Sequence, residues 1–116
     1  MGGNVADYAV VRRDSFAHDA EGDNGQEFRL AIPGGAIESQ ESLLSYTLEV
    51  SEMVDLSVSL NGERVDRLEL ETGFYGIQKV CNPYILRAGN NNLLVFKVAS
   101  GGCKIRDIVI WFKLAT

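Results

Sequence analysis

Val54-Asp55-Leu56-Ser57-Val58-Ser59-Leu60-Asn61-Gly62 decides the fold of this chain. Apolar residues occupy every second position from Val54 to Leu60, with Asp55, Ser57 and Ser59 between them. A period of two means one face buried and one solvated, which is a β-strand and not a helix. Asn61-Gly62 follows at once, and this dipeptide favours the type I′ turn because both of its central residues need positive φ. Arg64 to Leu70 then returns with Leu68 and Leu70 on the inward side, so 54–70 reads as a β-hairpin.

The same alternation spreads outward in both directions. Leu44, Tyr46, Leu48 and Val50 share one face, opposite Ser45, Thr47 and Glu49. Phe28, Leu30 and Ile32 alternate with Arg29 and Ala31 until Pro33-Gly34-Gly35 ends the run. Tyr8 to Arg12 supplies a first strand. Gly76 to Cys81 and Tyr84 to Leu86 flank Asn82-Pro83, where the missing N–H suggests a bulge or an edge. Leu93 to Ala99 and Ile105 to Leu114 close the chain, separated by Ser100-Gly101-Gly102. About eight strands with turn chemistry between them predict an all-β fold: an eight-stranded antiparallel β-sandwich, a jelly roll, with residues 1–116 as one domain. No window of ten residues is helical, although 37–44 has room for a single helical turn.

Bulk properties agree with that class. A chain of 116 residues buries roughly two-thirds of its unfolded surface, enough for one core without staples. No run approaches the ~18 apolar residues of a membrane-spanning helix. Met1 to Asp7 contains no basic region followed by an apolar one, and Ala6 stands where a myristoylation signal needs Ser or Thr. The expectation is a cytoplasmic protein that does not engage membranes. Cys81 and Cys103 read as two small buried side chains, and a bridge would require Cα atoms within about 7 Å. A pI near 4.8 opposes phosphate attraction and argues against nucleic acid as a partner. Charge is uneven along the chain. Residues 1–71 hold five basic and fifteen acidic side chains (−10), and residues 72–116 hold six basic and one acidic (+5). Such a split suggests two surface poles and so bears on partners.

Three C-terminal runs resemble a known family: Leu60-Asn61-Gly62-Glu63, Tyr84-Ile85-Leu86-Arg87-Ala88-Gly89-Asn90-Asn91-Asn92-Leu93, and Ile105-Arg106-Asp107-Ile108-Val109-Ile110-Trp111. Together they are similar to the galactose-binding-like jelly rolls, which include many carbohydrate-binding modules. The resemblance covers about residues 54–114 and its motifs are structural: a tight turn at Gly89-Asn90, and Asp107 capping or pairing with backbone at the entry to the last strand. It implies a fold, and sugar binding as the fold's best-known use.

Catalytic chemistry is thinly represented. His18 is the one histidine, in a polar segment that reads as a solvated loop, and there is no Gly-x-Ser-x-Gly elbow, P-loop or dinucleotide fingerprint. A Cys–His nucleophile would need His18 to meet Cys81 or Cys103. The chain reads as non-catalytic. Asp19, Glu21 and Asp23 alternate ahead of Asn24-Gly25 and supply the hard oxygen ligands that Ca²⁺ prefers. An EF-hand match fails, because Leu30 stands at the final Glu position, and a solvated acidic turn is the plainer reading. No other cofactor is implied.

The last two strands pose a question of faces. Leu94, Phe96, Val98 and Ile108, Ile110, Phe112 suffice for a core side, which leaves Leu93, Val95, Lys97 and Val109, Trp111, Lys113 outward. An outward apolar strip with lysines and the sole tryptophan marks an interaction site; the alternative is that Trp111 points inward. The reading is a non-catalytic binding module of carbohydrate-binding type. Its candidate contacts are Trp111, Tyr75, Tyr84, Lys97, Lys113 and Asn82, with aromatics for sugar faces and polar groups for hydroxyls. The alternative is an assembly module, a homo-oligomer or protein-partner domain that associates through the outer face of those strands.

Overall fold

Two long strands, β4 (Ser42–Leu60) and β7 (Gly89–Ala115), run antiparallel along most of their length. In the computed structural model, which describes residues 4–19 and 25–115, five shorter strands border them: β1 (Asn4–Arg12), β2 (Phe16–Asp19), β3 (Gln26–Ile32), β5 (Glu63–Leu70) and β6 (Gly73–Cys81). All pairing is antiparallel.

Both long strands turn a corner. The β4–β7 register slips between Val50 and Glu52 and again between Glu52 and Asp55. Opposite these slips, Gly101 takes φ +79. Beyond the corner, the first part of β7 and the second part of β4 form sheet A, in the order β3–β7–β4–β5. On the near side, the remaining parts form sheet B, with β1 and β2 end to end on β7 and β6 on β4. One hydrogen-bonded sheet is thus folded over on itself into a sandwich. Tyr46 of sheet B meets Phe96 of sheet A edge to face, with ring centroids 5.2 Å apart, so the inner faces pack together.

Alternation decides which residues fill the space between. Leu44, Tyr46, Leu48 and Val50, then Val54, Leu56, Val58 and Leu60, all lie buried along β4. Leu94, Phe96, Val98, Ile105, Ile108, Ile110 and Phe112 answer them from β7. Each such side chain contributes roughly 1.5–3 kcal/mol of apolar burial.

The hairpin forms as expected, with Asn61 at φ 53 and Gly62 at φ 84 between Leu60 and Glu63. The family-like motif at 84–93 proves to be a lock. The Asn92 carboxamide is fully buried; it accepts from Arg87 N–H at 2.9 Å and donates to the Arg87 carbonyl at 2.7 Å.

Seven strands are present among the described residues, against the eight expected. Ser100-Gly101-Gly102 bends β7 without interrupting its pairing, and 44–50 and 54–60 are likewise one strand, because glycine and bulges turn a ladder without ending it. Tyr84 to Leu86 is not a strand: Tyr84 sits at φ 69 in a turn after Pro83. Phe16–Asp19 is a strand that its polar composition concealed. The helical turn allowed at 37–44 is a hydrogen-bonded turn, Gln40 N–H to Ile37 carbonyl at 3.2 Å, with extended chain from Ser42.

His18 also departs from its reading as a solvated residue. It is 4% exposed, paired in register with Cys103, and its Nε2 donates to the Phe96 carbonyl at 2.9 Å. Cys81 and Cys103 are both free and buried. Charges of the two halves also meet: Lys104 of the basic β7 stands directly opposite Glu49 of β4.

Candidate functional site

The two outer faces differ in kind. Sheet A turns Glu27, Arg29, Lys97, Asp55, Ser57, Arg67 and Glu69 to solvent. Its central charges satisfy one another: Arg67 grips Asp55 through two bonds of 2.9 and 3.2 Å and reaches Glu69 at 3.2 Å. The Asp55 carboxyl is accordingly held below the usual carboxylate range by its bond to Arg67.

Sheet B is different because register assembles an apolar row straight across it. Tyr8 pairs with Trp111, Trp111 with Leu43, and Leu43 with Val80. Tyr8 and Val80 are each about half exposed, at 52% and 53%, and Trp111 is 40% exposed. The Trp111 ring is held rather than free. Tyr8 packs on it at 5.0 Å with a 43° tilt, and its indole N–H donates to Ser45 Oγ at 3.3 Å. A second row of Val10, Val109, Ser45 and Gln78 lies beside the first. Further along stand Arg106, Thr47 and Gly76, and then Lys104, Glu49 and Phe74, the last 74% exposed.

Three shallow depressions lie along this face. One of about 340 Å³ is bounded by Trp111, Leu43, Val80 and Lys113. The next, about 460 Å³, lies over Ser45, Thr47, Gly76, Gln78, Val109 and Asp107. The third, about 370 Å³, is edged by Phe74, Lys104, Arg106, Asp107, Glu49 and Arg13. Each is in the size range of small-molecule sites. Gly76 points outward with nothing within 4 Å of where a β-carbon would stand, so the middle depression exists because a side chain is missing.

The candidate residues named from the sequence scatter accordingly. Trp111 and Lys113 come together on sheet B. Lys97 is on the outer face of sheet A, on the opposite side of the molecule, because β7 changes sheets between the two positions. The single outward strip of Leu93, Val95, Lys97, Val109, Trp111 and Lys113 is for the same reason two separate surfaces. Tyr75 packs against the core, and its hydroxyl donates to the Glu71 carbonyl at 2.9 Å; it anchors a turn. Asn82 and Tyr84 are exposed on the loop after β6, where Tyr84 N–H donates to the Glu38 carbonyl at 2.7 Å. Of the suggested calcium ligands, Asp19 ends β2, while Glu21 and Asp23 lie outside the described residues.

Sequence reasoning missed Tyr8, Leu43, Phe74, Val80, Gln78 and the adjoining Arg106 and Asp107. A signal existed for β6, where Phe74, Gly76, Gln78 and Val80 alternate with Tyr75, Ile77 and Cys81. No such signal existed for β1, since both of its faces are apolar.

His18 and Cys103 share a register pair but not a reactive geometry. The Cys103 thiol is pushed up to about 11 by burial, whereas a nucleophilic thiol needs its ionisation lowered. Burial also raises Cys81, partly offset by the Ser42 hydroxyl beside it.

No family model matches the sequence, and no curated protein does. Solved structures match in shape. A CBM4 structure aligns with TM-score 0.54 and 15% identity, covering 93% of this chain and 93% of its own. The EclA C-terminal domain, a sugar-binding protein, aligns with TM-score 0.54 and 14% identity over 93% of this chain and 78% of its own. Dimeric latent PorU from Porphyromonas gingivalis gives TM-score 0.62 and 12% identity over 96% of this chain, which spans 13% of PorU. The likeness is one of fold: the chain is a jelly-roll β-sandwich of the kind found in carbohydrate-binding modules.

Proposed function

We propose that the chain is a non-catalytic carbohydrate-binding module whose glycan lies on the outer face of sheet B. The supporting observation is the row Tyr8–Trp111–Leu43–Val80 with polar groups immediately beside it. Pyranose rings have an apolar face and a polar rim, so they are recognised by an aromatic platform flanked by hydrogen-bonding side chains. Trp111 supplies the platform, braced by Tyr8. Ser45, Gln78 and Lys113 supply the rim. Because Tyr8 and Ser45 already restrict the indole, less side-chain freedom is lost on binding. Two of the folds it resembles are described as carbohydrate- or sugar-binding, which supports the same reading. The non-catalytic part rests on the absence of a reactive thiol–histidine arrangement among the described residues, the ionisation of both thiols being opposed by burial.

Affinity electrophoresis against soluble polysaccharides tests this. Wild type should be retarded by at least one glycan gel, and Trp111→Ala should migrate freely while remaining folded. Equal retardation of both proteins would refute the site.

One observation favours a second use of this face. Val10, Phe74, Val80 and Trp111 are all exposed there, and an exposed apolar patch can also bury itself against another copy. Sedimentation at micromolar concentration separates the two: a dimer that Trp111→Glu dissociates supports assembly, and a monomer supports the glycan.

A further inference from the structure

β7 breaks its own alternation at one place. Ile105 and Ile108 both point inward, so two consecutive residues between them, Arg106 and Asp107, stand outside. The break is a β-bulge: Thr47 opposes Arg106 while Ser45 opposes Val109. Asp107 adopts φ 51, and its N–H donates to the Arg13 carbonyl at 3.2 Å. Aspartate is one of the few side chains that tolerate this left-handed φ, which here accommodates the extra residue of the bulge. Bulges commonly serve to re-aim a side chain.

What this bulge aims is a guanidinium and a carboxylate, each 56% exposed, in the middle of the sheet B face. Asp107 borders both the middle depression and the one beside Phe74. The two groups form only a loose ion pair, with Arg106 Nε 3.8 Å from Asp107 Oδ2, too far for a hydrogen bond. The Arg67–Asp55 pair of sheet A shows the contrast: at 2.9 and 3.2 Å its donors and acceptors are already used.

We propose that Arg106 and Asp107 are the specificity-determining pair of the glycan site. The Asp107 carboxylate accepts from two neighbouring hydroxyls of the sugar lying over Thr47 and Gly76, and Arg106 donates to an adjacent oxygen. The module therefore selects glycans with a free vicinal diol at that position. This rests on the outer face of sheet B being the glycan site. A carboxylate built to accept hydroxyl protons discriminates strongly against a ligand that lacks them, because its acceptors would then be desolvated without donors.

The test is calorimetric titration of the full chain with cellohexaose, xylohexaose, neoagarooctaose and the O-methylated form of whichever binds. Wild type should bind the free glycan and reject the methylated one. Asp107→Asn keeps a residue that tolerates left-handed φ, and Arg106→Gln changes an exposed side chain, so both should melt like wild type. Each should weaken binding by roughly tenfold, the loss expected for a charged hydrogen bond, and Asp107→Asn should narrow the gap between free and methylated ligand. If wild type binds, Trp111→Ala does not, and both pair variants keep wild-type affinity and preference, the pair has no role and the glycan site still stands. If wild type binds none of the glycans, both readings fall. Should Asp107→Asn unfold, Arg106→Gln alone decides.

Discussion

The carboxamides of Asn61 and Asn92 are joined by a 2.9 Å hydrogen bond from Asn61 Nδ2 to Asn92 Oδ1, which ties the β4–β5 turn to the loop that enters β7. Asn61 also donates to the Ile85 carbonyl at 2.7 Å and accepts from Leu93 N–H at 2.8 Å. Asn92→Ala should destabilise the fold by about 3 kcal/mol, since it strands buried donors and carbonyls together. Asn92→Asp should do no better, because a carboxylate cannot donate to the carbonyls of Arg87 and Gly89. Thermal melts check both; a fall under about 5 °C for the alanine variant would contradict the lock.

Gly101 lies against the main chain of Met53 at the corner between the sheets. A β-carbon there would overlap the Met53 carbonyl oxygen and approach its carbonyl carbon to 2.6 Å, at a backbone φ of +79. Gly101→Ala should abolish stable folding or cost several kcal/mol, the combined effect of overlap and left-handed strain. Gly102→Ala, with nothing nearer than 3.5 Å, is the control and should fold.

Gly76 offers the opposite experiment. Open space surrounds its outward side, and β-branched residues favour strands, so Gly76→Val should melt at or slightly above the wild-type temperature. It should nevertheless fill the middle depression and weaken any ligand of the sheet B face by about tenfold or more. Unchanged binding would place the ligand elsewhere.

Cys103 predicts the alkaline behaviour. Its folded ionisation is raised from 9.0 to about 11, so the folded state holds the proton that the unfolded chain releases. That stabilisation is complete below about pH 9 and is lost as pH rises from there towards 11. Denaturant midpoints between pH 8 and 11 should fall for wild type and fall less for Cys103→Ala. Thiol reagents at pH 8 should modify neither cysteine until the protein unfolds.

Tyr46 is buried at the centre of the sandwich, and its hydroxyl has no protein partner among the described residues. Desolvation drives its ionisation far upward. Removing an unpaired buried hydroxyl while keeping the ring should be neutral or stabilising, by up to about 1 kcal/mol. A clear loss of stability in Tyr46→Phe would show that the hydroxyl is satisfied in solution.

Much of the fold was legible because strand alternation is local. The inward sets Leu44–Val50, Val54–Leu60, Leu94–Val98 and Ile108–Phe112 follow from the spacing of apolar residues alone, as does the Asn61-Gly62 hairpin. The site was legible only in part. Alternation allows Trp111 either face of its strand, and Tyr8 and Val80 reach it only through pairings between residues distant in sequence.

The sequence by itself determined the class of structure and the inward side of most strands, because a period of two is a property of the extended backbone. Tertiary structure decided which outward sides belong together. Gly101 lets β7 pass from one sheet to the other without losing its partners, so Lys97 and Trp111, on one strand, end on opposite faces. The bulge at Asp107 reverses parity for one residue and places two charged side chains where alternation alone would put one inside. Both outcomes depend on non-local pairing and on single backbone conformations, and residue spacing does not encode either.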